Sequence, residues 1–306
     1  MVNLEAKISI QGISKRFEKE YVLNSVSMEV LPGEFRVILG QSGTGKTTLL
    51  NIISGLISPD EGKIILDGKD ITKVPTEKRN IAYIFQDLGL FSSLTVKDNI
   101  IYGLMVRKYK SEDIEKRLHE YASKFGLLNL LNKYPIELSG GQKQLVALAR
   151  ALIINPSIIL MDEPLSSLDT FLRNNMRWYI KNLAKSMNLT VIYVTHDVDD
   201  CAIMADKVSV LSNGKIVEEG NKGEILNNPR KEETAKLLGY NIINFNNSRL
   251  FIHPSKIKIG GNIEARIINE ERGIMFHYLL KTQFGEIYAI FDRKYNEKEG
   301  ISIPGV

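Results

Sequence analysis

Two periodicities divide the chain. Polar and apolar residues alternate over Lys7–Gln11 and again over Val26–Val30, the pattern of half-buried strands. Pro32-Gly33-Glu34 reads as a tight turn and Phe35–Leu39 as the strand beyond it. That strand runs into a glycine-rich stretch and then into helical spacing at Leu49, Leu50, Ile52 and Ile53. Lys63–Gly68 predicts another strand and turn. From about Val96 to Ala151 the pattern is largely helical, interrupted near Gly126, Pro135 and Gly140-Gly141. Unbroken apolar runs return at Ile158–Met161 and Val191–Val194, as expected of parallel strands buried on both faces. Val208–Leu211 and Lys215–Glu218, joined by Asn213-Gly214, predict a hairpin.

The character changes near Gly239. Asn241–Asn247 is rich in Asn, and short β-like pieces follow at Leu250–Ile252, Lys256–Ile259, Glu264–Ile268 and Ile287–Ile290. We place a boundary at 239/240, giving a domain over 1–239 and a small all-β, barrel-like domain over 240–306. The second is small enough to be marginal alone. A length of 306 residues fits two domains.

Composition narrows the class. Hydrophobic residues make up 43% and charged residues 25%, which excludes collagen-like and wholly disordered chains. No apolar run approaches the ~18 residues of a membrane span, and the N-terminal residues lack the regions of a signal peptide. The single cysteine, Cys201, excludes an internal disulfide, fits a reducing compartment and reads as a packing residue. The net charge of +4 comes with interleaved signs, as in Lys110–Arg117, so no nucleic-acid partner is expected. His119, His253 and His277 show no metal-ligand spacing.

The chemistry begins after the Phe35–Leu39 strand. Gly40-Gln41-Ser42-Gly43-Thr44-Gly45-Lys46-Thr47 fits G-x-x-x-x-G-K-[ST] in full, between a predicted strand and a predicted helix. Glycines let backbone N–H groups close around phosphate oxygens, and the helix N-terminus adds its positive end. Lys46 would reach the β- and γ-phosphates and the Thr47 hydroxyl would ligate Mg²⁺. Asp162 ends the Ile158–Met161 strand, where open α/β sheets place ligands, and would hold Mg²⁺. Glu163 follows it and is placed to polarise an attacking water. Together these point to an α/β nucleoside triphosphatase.

Leu138-Ser139-Gly140-Gly141-Gln142 resembles the signature sequence of ABC ATPases, and the match runs on through Val146–Leu152. Other motifs of that family follow in order over residues 1 to about 238: Gln86 resembles the Q-loop glutamine, Ser166–Asp169 the D-loop, and His196 the switch histidine. Phe17 stands where the family places an aromatic under the adenine. The resemblance implies a P-loop fold of ABC type with an antiparallel β subdomain, a helical subdomain and a C-terminal OB- or TOBE-like β-domain. It implies ATP contacts from Gly40 through Thr48 and from Gln86, with Gln86 also near the Mg²⁺. It further implies that Ser139, Gly140, Gly141, Gln142 and Asp169 complete the site of a second copy, so that two chains sandwich two ATP molecules.

Phe251–Ile257 and Pro75–Tyr83 look like segments of importer ATPases, the latter with a lean toward oxyanion transporters. The implied role is to hydrolyse ATP for solute import from the cytoplasmic face of the membrane. The chain would dock to separate permease chains through Phe91–Ile100 and serve, indirectly, an extracytoplasmic solute-binding protein. Phe91, Leu94 and Ile100 fit a groove for a permease helix and fit subdomain core equally well. An export-complex ATPase and a soluble non-transport member of the family remain as alternatives. Two departures stand out: Leu145 replaces the usual Arg, and Ser92-Ser93 replaces the usual Pro-His of importers.

Overall fold

A computed structural model describes residues 5–246 and 248–306. The chain divides into two compact units, Met1–Glu219 and Gly220–Val306. The sequence-based boundary at 239/240 lies further along, after the short helices that open the second unit.

In the first unit the chain order is β1 (Ile8–Phe17), β2 (Glu20–Val30), β3 (Phe35–Leu39), α1 (Lys46–Ser54), β4 (Glu61–Leu66), β5 (Lys69–Asp70) and β6 (Ile81–Ile84). Helices α2 (Val96–Val106), α3 (Ser111–Lys124) and α4 (Gly140–Leu152) follow. The unit continues through β7 (Ile158–Asp162), α5 (Thr170–Ser186), β8 (Val191–Thr195), α6 (Val198–Met204), β9 (Lys207–Ser212) and into β10 (Lys215–Asn221). One sheet has the order β2-β1-β4-β5, with antiparallel pairing throughout. The other has the order β10-β9-β3-β8-β7-β6, and its five strands from β9 to β6 run parallel.

The parallel strands β3, β7 and β8 are buried at every position, which is why they read as unbroken apolar runs. Helix α1 buries Leu49, Leu50, Ile52 and Ile53 in a core shared by residues of both sheets. Its C-terminal carbonyls are held by Arg79, a buried guanidinium donating to Ile52 O at 2.9 Å, Ile53 O at 2.8 Å, Thr72 O at 2.9 Å and Val74 O at 2.7 Å.

Strands β1 and β2 are longer than their alternation predicts. The pairing register shifts between Ile10 and Ile13, beside Gly12 at φ +62° and opposite Ser25 at φ +53°. A bulge there breaks the polar–apolar alternation without ending the strand. Asn213 and Gly214 both have positive φ, 48° and 70°, giving the two-residue turn predicted for the β9–β10 hairpin.

The second unit contains α7 (Lys222–Asn227), α8 (Glu232–Leu237) and the strands β11 (Asn241–Phe245), β12 (Ser248–Ile252), β13 (Lys258–Ile263), β14 (Arg266–Arg272), β15 (Phe276–Thr282), β16 (Gly285–Phe291) and β17 (Ile301–Ser302). Its strands form three small sheets, β11-β12, β13-β17 and β14-β15-β16. Tyr278, Phe291 and Tyr295 pack at its centre, where the Tyr278 hydroxyl accepts from Tyr295 N at 3.1 Å and the Tyr295 hydroxyl donates to Ala265 O at 2.9 Å. The Asn-rich run from Asn241, read as a boundary, is strand up to Phe245; Asn247 lies outside the described residues. Residues 1–4 of the N-terminal stretch that lacks the regions of a signal peptide likewise lie outside them.

Candidate nucleotide site

The loop between β3 and α1 is glycine where glycine is required. A Cβ on Gly40 would stand 2.5 Å from Leu211 O and 2.8 Å from Thr44 Oγ1. Gly45 has φ +99°, and a Cβ there would stand 2.7 Å from Val22 O. Thr44 Oγ1 donates to Gln41 O at 2.9 Å and tightens the turn. The loop wraps the Lys46 ammonium, which donates to Gly40 O and Gln41 O, both at 2.9 Å, and lies 3.4 Å from Glu163 Oε1. An open cleft of about 310 Å³ is lined by Val22, by Ser42, Gly43, Gly45, Lys46, Thr47 and Thr48 of this loop and helix start, and by Gln86 and Glu163.

Asp162 ends β7 inside the sheet. Its carboxylate accepts from Thr47 Oγ1 at 3.2 Å and from the Tyr83 hydroxyl at 3.3 Å. Burial raises the Asp162 pKa, and these two hydroxyl donors partly offset the effect. Burial also holds Tyr83 well above its ordinary pKa, so its hydroxyl remains a donor. The oxygens of Thr47 and Asp162 make a hard donor pair of the kind Mg²⁺ prefers, with the Gln86 amide at the same cleft, so the residues present fit that ion.

Glu163 leaves the strand in a left-handed conformation, φ +43°. Its N–H bonds Val194 O at 3.1 Å, and its carbonyl accepts from Ser166 N at 3.1 Å. The buried Gln144 of α4 donates to the next carbonyl, Pro164 O. These ties hold the turn against its strain and aim the side chain at the cleft. His196 Nδ1 lies 2.7 Å from Glu163 Oε2, and its ring is 54% exposed.

The signature residues stand elsewhere. Ser139 caps α4: its Oγ accepts from Gln142 N at 3.3 Å, and Gln142 Oε1 accepts from Ser139 N at 3.0 Å. Gly140 and Gly141 pack on the 166–172 region, where a Cβ would meet Leu168 Cδ2 at 2.9 Å and Leu172 Cδ1 at 3.2 Å. Asp169 caps α5 through Leu172 N at 2.9 Å. Phe17, half-exposed at the end of β1, has the Lys15 ammonium 5.8 Å from its ring centre. None of Phe17, Ser139–Gln142 or Asp169 lines the cleft.

Of the residues expected near a permease, Phe91 is exposed, Leu94 half-buried and Ile100 wholly buried, so Ile100 belongs to the core. Leu145 is half-buried on α4, and Ser92-Ser93 is exposed. Cys201 is wholly buried, and burial pushes its thiol pKa up, away from redox chemistry.

Sequence reasoning missed the frame behind His196. Asp200 accepts from Thr195 Oγ1 at 2.6 Å, from Tyr193 OH at 3.2 Å and from Arg177 Nε at 2.7 Å. Asp197 accepts from Arg177 Nη2 at 2.5 Å. The signal was present as Arg173 and Arg177, one helical turn apart, and the acidic run Asp197, Asp199, Asp200.

A glycine-rich phosphate cradle, an Asp-Glu strand end and a separately placed signature helix define a P-loop nucleotide hydrolase of ABC type. The comparisons agree: residues 23–166 match the ABC transporter family. The chain is 39% identical over 277 residues to a molybdate/tungstate import ATP-binding protein of Pyrococcus abyssi, covering 86% of this chain and 80% of that one. It is 41% identical over 232 residues to a sulfate/thiosulfate import ATP-binding protein of Synechocystis sp. (76% and 65% covered). To a spermidine/putrescine import ATP-binding protein of Haemophilus influenzae it is 38% identical over 260 residues (85% and 69% covered). The chain belongs to the ATP-binding subunits of ABC importers. It is an ATPase that uses ATP with Mg²⁺ to energise solute import, works with membrane permease components and is peripheral to the membrane. Among the described residues no helix is long and apolar enough to cross a membrane.

Proposed function

We propose that Glu163 is the general base of ATP hydrolysis and His196 the group that orients it. The observation carrying this is the 2.7 Å His196–Glu163 pair at a cleft where Lys46 lies 3.4 Å from the same carboxylate. When ATP enters, Lys46 exchanges loop carbonyls for β- and γ-phosphate oxygens. N–H groups from Gly40 through Thr48 cradle the phosphates, and Phe17 supports the adenine. Glu163 takes a proton from the attacking water as the water oxygen bonds the γ-phosphorus, and the bond to the β,γ-bridging oxygen breaks, with ADP leaving. Thr47, Asp162 and Gln86 would hold Mg²⁺, which when bound neutralises developing phosphate charge.

Ser139–Gln142 and Asp169 lie away from the cleft of their own chain, which supports a role in the site of a second copy. We read the working unit as a homodimer enclosing two ATP molecules at the cytoplasmic face. Its permease partner docks at the surface around Phe91 and is fed by an extracytoplasmic solute-binding protein. Residues 1–239 serve as the nucleotide-binding domain and 240–306 as an accessory β-domain. The relatives that carry molybdate, tungstate or sulfate in their names favour a tetrahedral oxyanion as the imported solute.

Glu163→Gln keeps the shape of the site and removes the base. The variant should bind ATP, accumulate as a nucleotide-loaded dimer on size exclusion and co-purify with a multi-span permease. Rapid turnover by this variant would sink the assignment. Stimulation of the wild-type complex by a binding protein loaded with spermidine, but not with molybdate or sulfate, would sink the oxyanion reading.

A further inference from the structure

Each chain carries two half-sites, the Lys46–Glu163–His196 cleft and the Ser139–Gln142 helix start. The segment between Glu163 and α5 touches both. Gly140 and Gly141 of α4 have no side chains where Leu168 and Leu172 press against them. Arg173 holds the same segment through its backbone. Its Nη2 donates to Leu168 O at 2.8 Å and Ser166 O at 3.3 Å, and its Nη1 lies 3.7 Å from Asp197 Oδ2. Asp197 is the residue after His196. Its N–H bonds Thr195 Oγ1 at 2.9 Å, on the other side of the histidine, and its Oδ1 caps α6 through Asp199 N at 2.9 Å. Arg173, Asp197, Ser166, Glu163 and His196 all line one small pocket of about 100 Å³.

We propose that Arg173 is a positioning residue for hydrolysis, tying the segment under the signature helix to the backbone that carries His196. The guanidinium suits this because its planar fork bonds two carbonyls while its charge faces a carboxylate 3.7 Å away, whereas an ammonium is a single compact charge. A shift of α4 on the 166–172 segment, as occupation of the signature half-site would produce, moves Leu168 O and with it Arg173 and Asp197. His196 and its bond to Glu163 follow. One chain's engagement of its partner's nucleotide is thereby linked to the alignment of its own base.

The proposal rests on the roles given above to Glu163 and His196, and the test separates the two. Full-length Arg173→Met keeps the side-chain stem and removes the donors. Its kcat for Mg-ATP should fall about tenfold, the size expected when a catalytic group is freed to shift by a fraction of an ångström. KM for ATP should stay within about twofold, because no ATP contact is removed. Asp197→Asn should show the same split. Asp197 also accepts from Arg177 Nη2 and caps α6, so its loss should be at least as large as that of Arg173→Met, and the double variant should be no slower than Asp197→Asn, since Arg173 acts through Asp197. Arg173→Lys should fall between wild type and Arg173→Met, and it carries the test if Arg173→Met does not fold. Wild-type kcat in Arg173→Lys and Arg173→Met, multiplicative losses in the double variant, or a KM that rises in step with falling kcat would each overturn the proposal. Continued turnover by Glu163→Gln would instead overturn the underlying site assignment.

Discussion

Asn99 offers a sharp test of the frame beneath the surface around Phe91. It lies in α2, wholly buried, and organises the loop before the helix. Its Oδ1 accepts from Phe91 N at 2.9 Å, and its Nδ2 donates to Phe91 O at 3.0 Å, Leu94 O at 3.1 Å and Thr95 O at 3.0 Å. Two of these carbonyls have other donors: Phe91 O accepts from Leu94 N at 3.2 Å, and Thr95 O from Asn99 N at 2.9 Å. Asn99→Ala therefore strands two groups, Phe91 N–H and Leu94 O. At about 1–3 kcal/mol for each stranded group, and less where water enters beside the exposed Phe91, the loss is about 2–4 kcal/mol. For a unit of this size that lowers Tm by roughly 5–15 °C. Asn99→Asp is isosteric and keeps the acceptor for Phe91 N–H, yet it turns a second carboxylate oxygen on three carbonyls. An unpaired buried charge costs about 3–5 kcal/mol, so the conservative change should be the worse one. The order should be wild type, then Ala, then Asp in thermal melts at neutral pH. The Asp deficit should shrink as pH falls and the carboxyl protonates. An Asn99→Asp protein as stable as wild type, or more stable than Asn99→Ala, would refute the orientation of the amide and the accounting built on it.

Two further variants probe the frame and the site. Arg79→Met keeps the volume beneath α1 but leaves four carbonyls without their shared donor, and should cost about 2–4 kcal/mol in urea unfolding, with partial recovery in Arg79→Lys. Asp162→Asn should abolish Mg²⁺-dependent hydrolysis while raising the Tm of the nucleotide-free protein. The sign follows from burial, which raises the Asp162 pKa in the fold: its penalty is full above the folded pKa and disappears on acidification below the unfolded one. The Tm advantage of Asp162→Asn should accordingly be present at pH 8 and fade as pH falls, and an advantage that grows on acidification would contradict it.

What could be read in the sequence was the part whose chemistry is local. A phosphate cradle must be built from consecutive N–H groups, so Gly40, Gly45, Lys46 and Thr47 fall within eight residues and announce themselves. The buried parallel strands were legible for a related reason, because burial on both faces leaves no polar position to confuse the pattern. Strand β1 was legible only in part, since the bulge at Gly12 breaks the alternation on which strand recognition depends. The start of β11 was lost because Asn241 and Asn244 resemble turn residues. Yet the Asn241 amide donates to Tyr288 O and its carbonyl oxygen accepts from Tyr288 N, both at 2.7 Å, a pairing across 47 positions that no local pattern encodes.

The residues that hold the site in place belong to this second kind. Glu163 sits at φ +43°, a conformation it would not choose alone, and is kept there by Val194 O, Ser166 N and the Gln144–Pro164 bond. His196 is held through its neighbours Thr195 and Asp197 by Arg177 and Asp200, which are 23 positions apart in the chain. The phosphate cradle is a local motif, whereas Glu163 and His196 depend on long-range polar ties. A single-residue change in those ties can therefore lower turnover while leaving nucleotide binding intact, and that separation is what distinguishes a positioning residue from a ligand-binding one.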